Sequence, residues 1–405
     1  MIVSSMTEKP DALKALAAAA GLGAVDPWAD TAGRIAAAIA EILPAETNRG
    51  VALRPAATLR ADVRRLVFPG RARDLRPPAH YDKVPPGFTH ASREALTPEL
   101  NLLDLADGVF CHLADMPLAL TADATVALSD FCSRYAPLLH YYDVDVQRLA
   151  ADAITVPGTL LVIADDVRPL NFSHWVLDWL PRIACLASVA PRAETFVAVP
   201  PLPAQPYLRE TLAACGVADA QIVGIGPMQA ARAHRLLVPD DLGNPPHPAH
   251  KGAPWLTSFL RGRLARDVER RPQWRKIYVA RDDGEGRHIA DDAALTAELA
   301  TLGYARIVPG EMTFAEQVAA FASASHIIAP HGAALALLAF ASADARVLEI
   351  FPGSYGTAAY YVLAGSLGLD YASYVAPAIR RDRAQLDDIA LDVPAFITTV
   401  RTRFD

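Results

Sequence analysis

From about residue 158 the chain alternates short apolar runs with longer mixed stretches. Leu160-Leu161-Val162-Ile163, Phe196-Val197-Ala198-Val199, Gln221-Ile222-Val223 and Leu236-Leu237-Val238 read as strands, with helices at 172–188 and 205–215. Such runs are too short for helices and are bounded by turn residues. A second alternation places strands at 277–280, 306–308, 326–329, 347–351 and 371–375. Its helices cover 292–302, a segment opening at Thr313, 333–341 and 357–367. Gly303 is a C′ glycine that stops the first of these. Thr313 followed by Glu316 is a capping box for the second. Strands that are apolar throughout, alternating with helices, predict parallel sheets covered on both faces.

Upstream the pattern is weaker. Residues 11–43 read as two helices broken by Gly21-Leu22-Gly23 and Pro27, and 44–100 as Pro- and Arg-rich irregular structure with isolated strands. Residues 101–150 carry short apolar runs and turn signals, the mark of hairpins. Segment 242–250, with Pro245, Pro246 and Pro248, is the clearest linker, and a helix at 253–270 follows it. The expected organisation is an N-terminal part over 1–245, comprising an extension (1–150) and a Rossmann-like block (about 158–240). A second Rossmann-like block spans 246–375, and a tail (376–405) packs back on the N-terminal part. The two α/β blocks should face each other across a cleft.

Composition narrows the function. The 405 residues call for about two domains, and 52% hydrophobic with 20% charged residues is a globular balance. A net charge of −7 argues against nucleic acid as partner. Cys111, Cys132, Cys185 and Cys215 are far apart and form no C-x-x-C pair, so neither a zinc site nor a disulfide framework is expected. Residues 1–11 lack a basic segment followed by an apolar one, and no window reaches about 18 apolar residues. A cytoplasmic protein without a membrane span is expected, with attachment at the inner face of a membrane left open.

In open α/β sheets ligands bind beyond the carboxyl ends of the strands. Arg281, His331 and Glu349 all fall at or near such ends in the second block. His331-Gly332-Ala333-Ala334 is a strand-to-helix turn of small residues, where backbone and free helical N–H groups approach an anion. Arg281 can fork onto phosphate oxygens. Together they read as a metal-free diphosphate cradle, against the plainer readings of a packing corner and an arginine paired with Asp282 or Asp283. Glu349, inside an apolar strand, must meet a basic partner such as Arg346 or bind ligand hydroxyls, a ribose diol among them. Glu316 is explained by its capping box without any ligand. In the first block His174 and Asp178 share a helix face at i,i+4, as do Asp178 and Arg182. A histidine oriented by a carboxylate is a reasonable general base; the plainer reading is a core histidine and a surface ion pair. Trp175 and Trp179 read as core.

At these residues the chain resembles glycosyltransferase family 61. The matching stretches are residues 171–182; Ile277-Tyr278-Val279-Ala280-Arg281; Thr313-Phe314-Ala315-Glu316-Gln317; Ala329-Pro330-His331-Gly332-Ala333-Ala334-Leu335; and Val347-Leu348-Glu349-Ile350-Phe351-Pro352. The resemblance covers roughly 158–375. It implies a GT-B-like α/β architecture of two facing Rossmann-like domains, and inverting transfer from a nucleotide-sugar, usually a UDP-sugar, without an essential metal or other cofactor. It implies that Arg281 and the turn 331–334 bind diphosphate and that Glu349 binds the nucleoside. Glu316 joins the donor-binding set through its matching stretch. Asp178 stands where relatives often carry Glu. Eukaryotic members transfer N-acetylglucosamine, xylose or arabinose; bacterial look-alikes serve capsule or other surface polysaccharides, so a glycan acceptor is expected.

The expected mechanism is one in-line displacement, with His174 taking the acceptor proton, Asp178 orienting the imidazole, and Arg281 with the helix start after His331 stabilising the departing diphosphate. A metal-dependent GT-A transferase would use Asp143-Val144-Asp145 instead, a short motif outside the α/β blocks. A non-catalytic nucleotide-sugar binder is the other rival. A hydrolase elbow is absent because Gly353-Ser354-Tyr355-Gly356 is out of register, and a dinucleotide fingerprint fails because Gln229 stands where the third glycine belongs.

Overall fold

The computed structural model describes residues 52–54, 64–75, 77–88, 94–97, 99–113, 116–128, 145–164, 171–189, 194–239, 253–282 and 284–405. The helices expected within 11–43, the 242–250 linker and Asp143 lie outside them. The described part is a mixed α/β structure with two large sheets, and its parallel strands fit a Rossmann-like pattern.

The six-stranded sheet runs Ala305–Ile307, Lys276–Val279, His326–Pro330, Arg346–Pro352, Asp370–Ala376, Ala79–His80, every neighbour parallel. The first five strands follow the order 2-1-3-4-5. The chain direction across the sheet therefore reverses between Lys276–Val279 and His326–Pro330. That reversal forces the connections at the two strand ends to diverge to opposite faces, opening a crevice at the carboxyl edge. Ile327, Val347, Leu348 and Ile350 are fully buried, as expected for strands covered on both sides.

The ten-stranded sheet is half parallel. Ile222–Gly224, Thr195–Val199, Ile154–Val162 and Ala230–Pro239 form the order 3-2-1-4, all parallel. Beyond Ala230–Pro239 the pairing is antiparallel as far as Val126–Leu128, which Ala52–Arg54 joins in parallel at the edge. That strand pairs with both Leu100–Ala106 and Val109–Leu113, and the latter continues to Met116–Leu120. The hairpins expected within 101–150 therefore extend the Rossmann-like sheet and form no separate body.

Between the sheets lies one continuous apolar cluster. It joins Leu161 and Val197 of the larger sheet to Ile277, Ile327 and Val347 of the smaller through Trp175, Leu180, Leu256, Phe321, Leu337 and Leu363. One association runs against the sequence reading. Ala79–His80, from the N-terminal extension, forms the edge of the six-stranded sheet; His80 hydrogen-bonds Ser373 at 2.7 Å, and Phe88 packs on Phe351, Tyr361 and Tyr371. The tail meets the N-terminal extension, Tyr81 Oη donating to Arg403 O at 2.9 Å and Arg403 Nη1 to Tyr81 O at 3.0 Å, and it also packs on the outer face of the six-stranded sheet. Phe396, Ile397, Val400 and Phe404 join Tyr278, Leu295, Leu299 and Leu348 there, and Lys276 binds Asp405 at 2.8 Å. The physical reason is that this outer face is otherwise covered by a single helix, Asp292–Thr301, and needs a second apolar layer.

Candidate active site

The turn after His326–Pro330 is built around Arg281. His331 N donates to Ile350 O at 2.8 Å, so the chain stays in the sheet until it turns. Gly332 is extended, a conformation any residue adopts. What requires glycine is space, because a Cβ there would overlap Arg281 Nη1. Gly284 is similarly close, its virtual Cβ 2.9 Å from Arg281 Nη2. Arg281 Nε donates to Gly286 O at 2.6 Å, which fixes the guanidinium across the turn. The Ala333–Phe340 helix is a 3-10 helix whose first internal bond runs from Leu335 N to Gly332 O at 3.0 Å. Ala333 and Ala334 precede that bond and remain half-buried.

These groups line a cavity of about 580 Å³ at the reversal point of the six-stranded sheet. That is within the usual size of small-molecule sites, about 300–1,000 Å³. One side is Arg281, Gly332, Ala333 and Ala334; a second is the segment 309–314 with Gln317; the third is Phe172, Pro206 and Tyr207 from the other α/β block. The sequence thus places Arg281 and the 331–334 turn together, and the structure puts them on one wall.

His331 and Glu349 form a buried pair behind that wall. His331 Nδ1 and Glu349 Oε1 are 2.5 Å apart, and Tyr371 Oη donates to Glu349 Oε2 at 2.5 Å. Glu349 is wholly buried and His331 nearly so. The partner of Glu349 is thus a histidine and a tyrosine, not Arg346. Strand geometry explains it: Arg346 and Glu349 are three residues apart and point to opposite faces. Arg346 instead meets Asp370 at 3.4 Å. Glu349 is paired in register with Ala329 and Ser373, so His331 and Tyr371, each two residues away on those neighbours, share its face. Burial, with Glu349 beside it, pushes the Tyr371 hydroxyl well above its ordinary pKa. The His331 ring stacks on Phe351 at 5.0 Å, and Arg287 Nε donates to His331 O at 2.8 Å.

His174 and Asp178 sit on an irregular helix. Asn171 caps it, accepting from Ser173 N at 2.9 Å. A π-helical turn at Trp175–Trp179 follows, closed by Leu180 N on Trp175 O, and then a 3-10 helix over Leu180–Ser188. Pro181 accounts for the change: it has no N–H, and its ring crowds the carbonyl four residues back. His174 Nδ1 is hydrogen-bonded to Asp178 Oδ2. The His174 side chain is 53% exposed and that of Asp178 only 1%. Asp178 and Arg182, expected at the surface in the plainer reading, are both buried. Arg182 is wholly buried, and its Nη1 donates to Ile163 O at 3.1 Å. Trp175 and Trp179 belong to the core, Trp175 Nε1 donating to Thr211 Oγ1 at 2.9 Å.

Tyr360 is a buried neighbour of the His331 turn. Burial raises its pKa above the ordinary value, and the charges of Glu349 and Asp178 add to this while a hydrogen bond with Ser173 opposes it. Its ring is 5.5 Å from that of His331. Tyr360, Tyr371 and Arg287 were not singled out in sequence, since nothing local distinguishes them from other buried aromatics and surface arginines.

Glu316 is held by its cap. Its Oε2 accepts from Thr313 N at 3.0 Å and Thr313 Oγ1 at 2.9 Å, bonds that keep the carboxyl below its ordinary pKa. It does not line the cavity, although Thr313, Phe314 and Gln317 do. Asp145 caps the Val146–Ala151 helix, accepting from Arg148 N at 3.0 Å. Among the described residues no group of three or more His, Cys, Asp or Glu is placed to hold a metal ion. No described helix is long and apolar enough to cross a membrane.

Residues 172–348 match the family model of glycosyltransferase 61. The match supports glycosyltransferase activity, with a donor and an acceptor as substrates. It covers just under half of the chain, taking in the His174–Asp178 helix, Arg281, Glu316 and the turn 331–334, and ending one residue before Glu349. No curated protein matches the chain.

Proposed function

We propose that the chain is an inverting, metal-independent glycosyltransferase that moves a sugar from a nucleotide-sugar, UDP-linked by the family resemblance, to a hydroxyl of a glycan or surface-polysaccharide acceptor. The observation that carries this reading is the cavity at the sheet-reversal point, with Arg281 laid across Gly332 and the start of the Ala333–Phe340 helix on the same wall. A fixed guanidinium beside helical N–H groups is suited to a diphosphate whose negative charge grows as it leaves. Facing walls from two Rossmann-like blocks are what a GT-B architecture supplies.

In the proposed step the acceptor oxygen forms a bond to the anomeric carbon. The bond from that carbon to the phosphate oxygen breaks on the opposite side, its electron pair going to the diphosphate. The acceptor proton passes to Nε2 of His174, whose Nδ1 is held by Asp178. Arg281 stabilises the leaving group. Glu349 acts through His331, keeping the turn in place, because its own oxygens are engaged by His331 and Tyr371. By the same resemblance the acceptor belongs to capsule or another surface glycan; the cytoplasm is the proposed compartment.

A direct test measures binding of nucleoside diphosphates and release or transfer of labelled sugar, each with manganese and with a chelator. UDP binding and sugar transfer that persist in chelator are the expected result. Binding without release or transfer to any acceptor would make the chain a non-catalytic binder, and strict manganese dependence would overturn the metal-free step.

A further inference from the structure

With Glu349 enclosed, the nucleoside of the proposed donor needs another seat. The wall of the cavity opposite Arg281 offers one. Gln317 is 7% exposed and lines the cavity. Its Nε2 donates to Pro309 O at 2.7 Å and to Met312 O at 3.2 Å. Both partners are carbonyls, so the amide cannot be turned over: the oxygen in that place would face two acceptors. Its Oε1 is therefore directed away from them. This oxygen is buried and has no donor among the described residues. Buried polar atoms are nearly always paired, so one left without a donor beside a cavity marks a place where a ligand donor belongs.

The surroundings have the character of a base pocket. Phe172 meets Tyr207 at 5.2 Å and Phe314 at 6.3 Å between ring centroids, and these three line the cavity with Pro206, Pro309 and Met312. A flat heterocycle gains apolar contact there, while Arg281 on the far wall remains for phosphate. We propose that Gln317 and the segment 309–314 form the base subsite of the cavity, with Gln317 Oε1 accepting the ring N–H of the nucleobase. This rests on the uridine donor of the proposed function. Uracil carries one N–H on its free edge, at N3, and the subsite offers one free acceptor. Cytosine presents an acceptor at the same ring position and meets the oxygen less well.

The test is a binding titration of UDP, N3-methyl-UDP, CDP and inorganic pyrophosphate to the full chain and to Gln317→Met, which keeps side-chain length and loses the acceptor. Losing one neutral hydrogen bond weakens binding about tenfold. In the natural chain N3-methylation and the exchange to CDP should each cost about that factor. In Gln317→Met the methyl group should cost less than about threefold, with pyrophosphate bound equally by both proteins. Tolerance of N3-methyl-UDP by the natural chain would overturn the subsite even if the variant failed to fold, and so would an equal methyl penalty in both proteins. Failure of the natural chain to bind UDP and pyrophosphate alike would overturn the diphosphate cradle, and the subsite with it; failure of the subsite alone leaves pyrophosphate binding intact.

Discussion

The molecule holds two histidine–carboxylate pairs, and they differ in one respect. His174 and Asp178 are four residues apart on one helix, and the imidazole is 53% exposed over a carboxylate that is 1% exposed. His331 and Glu349 come from neighbouring strands, with side-chain exposures of 7% and 0%. The chemistry of the partners is alike, but access is not. An imidazole that reaches solvent can exchange a proton with an acceptor hydroxyl. One enclosed by Phe351, Tyr355 and Tyr360, with its carboxylate also held by Tyr371, can only hold its turn in place. The first pair is open to solvent and the second is closed off from it.

The largest expected break in this contrast is His174→Ala. Removing a general base should cost about 10²- to 10⁴-fold in kcat, with UDP affinity unchanged. Full turnover in the variant would move the base elsewhere, Asp178 being next in line. Arg281→Ala comes second. Loss of a fixed donor to the leaving group should lower transfer by about 10²- to 10³-fold, or roughly 2–4 kcal/mol. Unlike His174→Ala it should also weaken pyrophosphate binding. A variant with normal transfer would refute the cradle.

Glu349→Gln sharpens the other side of the comparison. It removes a charged acceptor between His331 and Tyr371 and should show first as lost stability, about 1–3 kcal/mol in denaturant unfolding. Transfer should fall only as far as the 331–334 turn loosens. A normal unfolding curve combined with abolished UDP binding would instead make Glu349 a direct ligand contact. Glu316→Gln should do least. Its carboxylate is engaged by Thr313 and does not line the cavity, so a slight drop in melting temperature and unchanged donor binding are expected. A clear loss of UDP affinity would place Glu316 in the site after all.

Much of this was legible in the sequence. Each strand read from apolar runs in the two α/β blocks is present within a few residues, and the capping box at Thr313 and Glu316 and the C′ glycine at Gly303 are as read. His174 and Asp178 share a face because helical spacing puts them there. Arg281 and His331 converge because the strands they follow are neighbours. The misreadings have a common origin. The partner of Glu349 and the edge strand Ala79–His80 both depend on which strand lies beside which. Nothing in a local pattern records that.

The sequence by itself determined the elements, their parallel pairing and the residues that end the strands, because these follow from side-chain periodicity and turn chemistry over a few residues. Only the tertiary structure decided which histidine is open and which is enclosed. Burial is set by packing from elements distant along the chain: Tyr371 against Glu349 and Tyr360 against His331, and Tyr207 and Phe172 lining the same cavity as Arg281. Two pairs of the same chemistry thus receive different exposure from their surroundings.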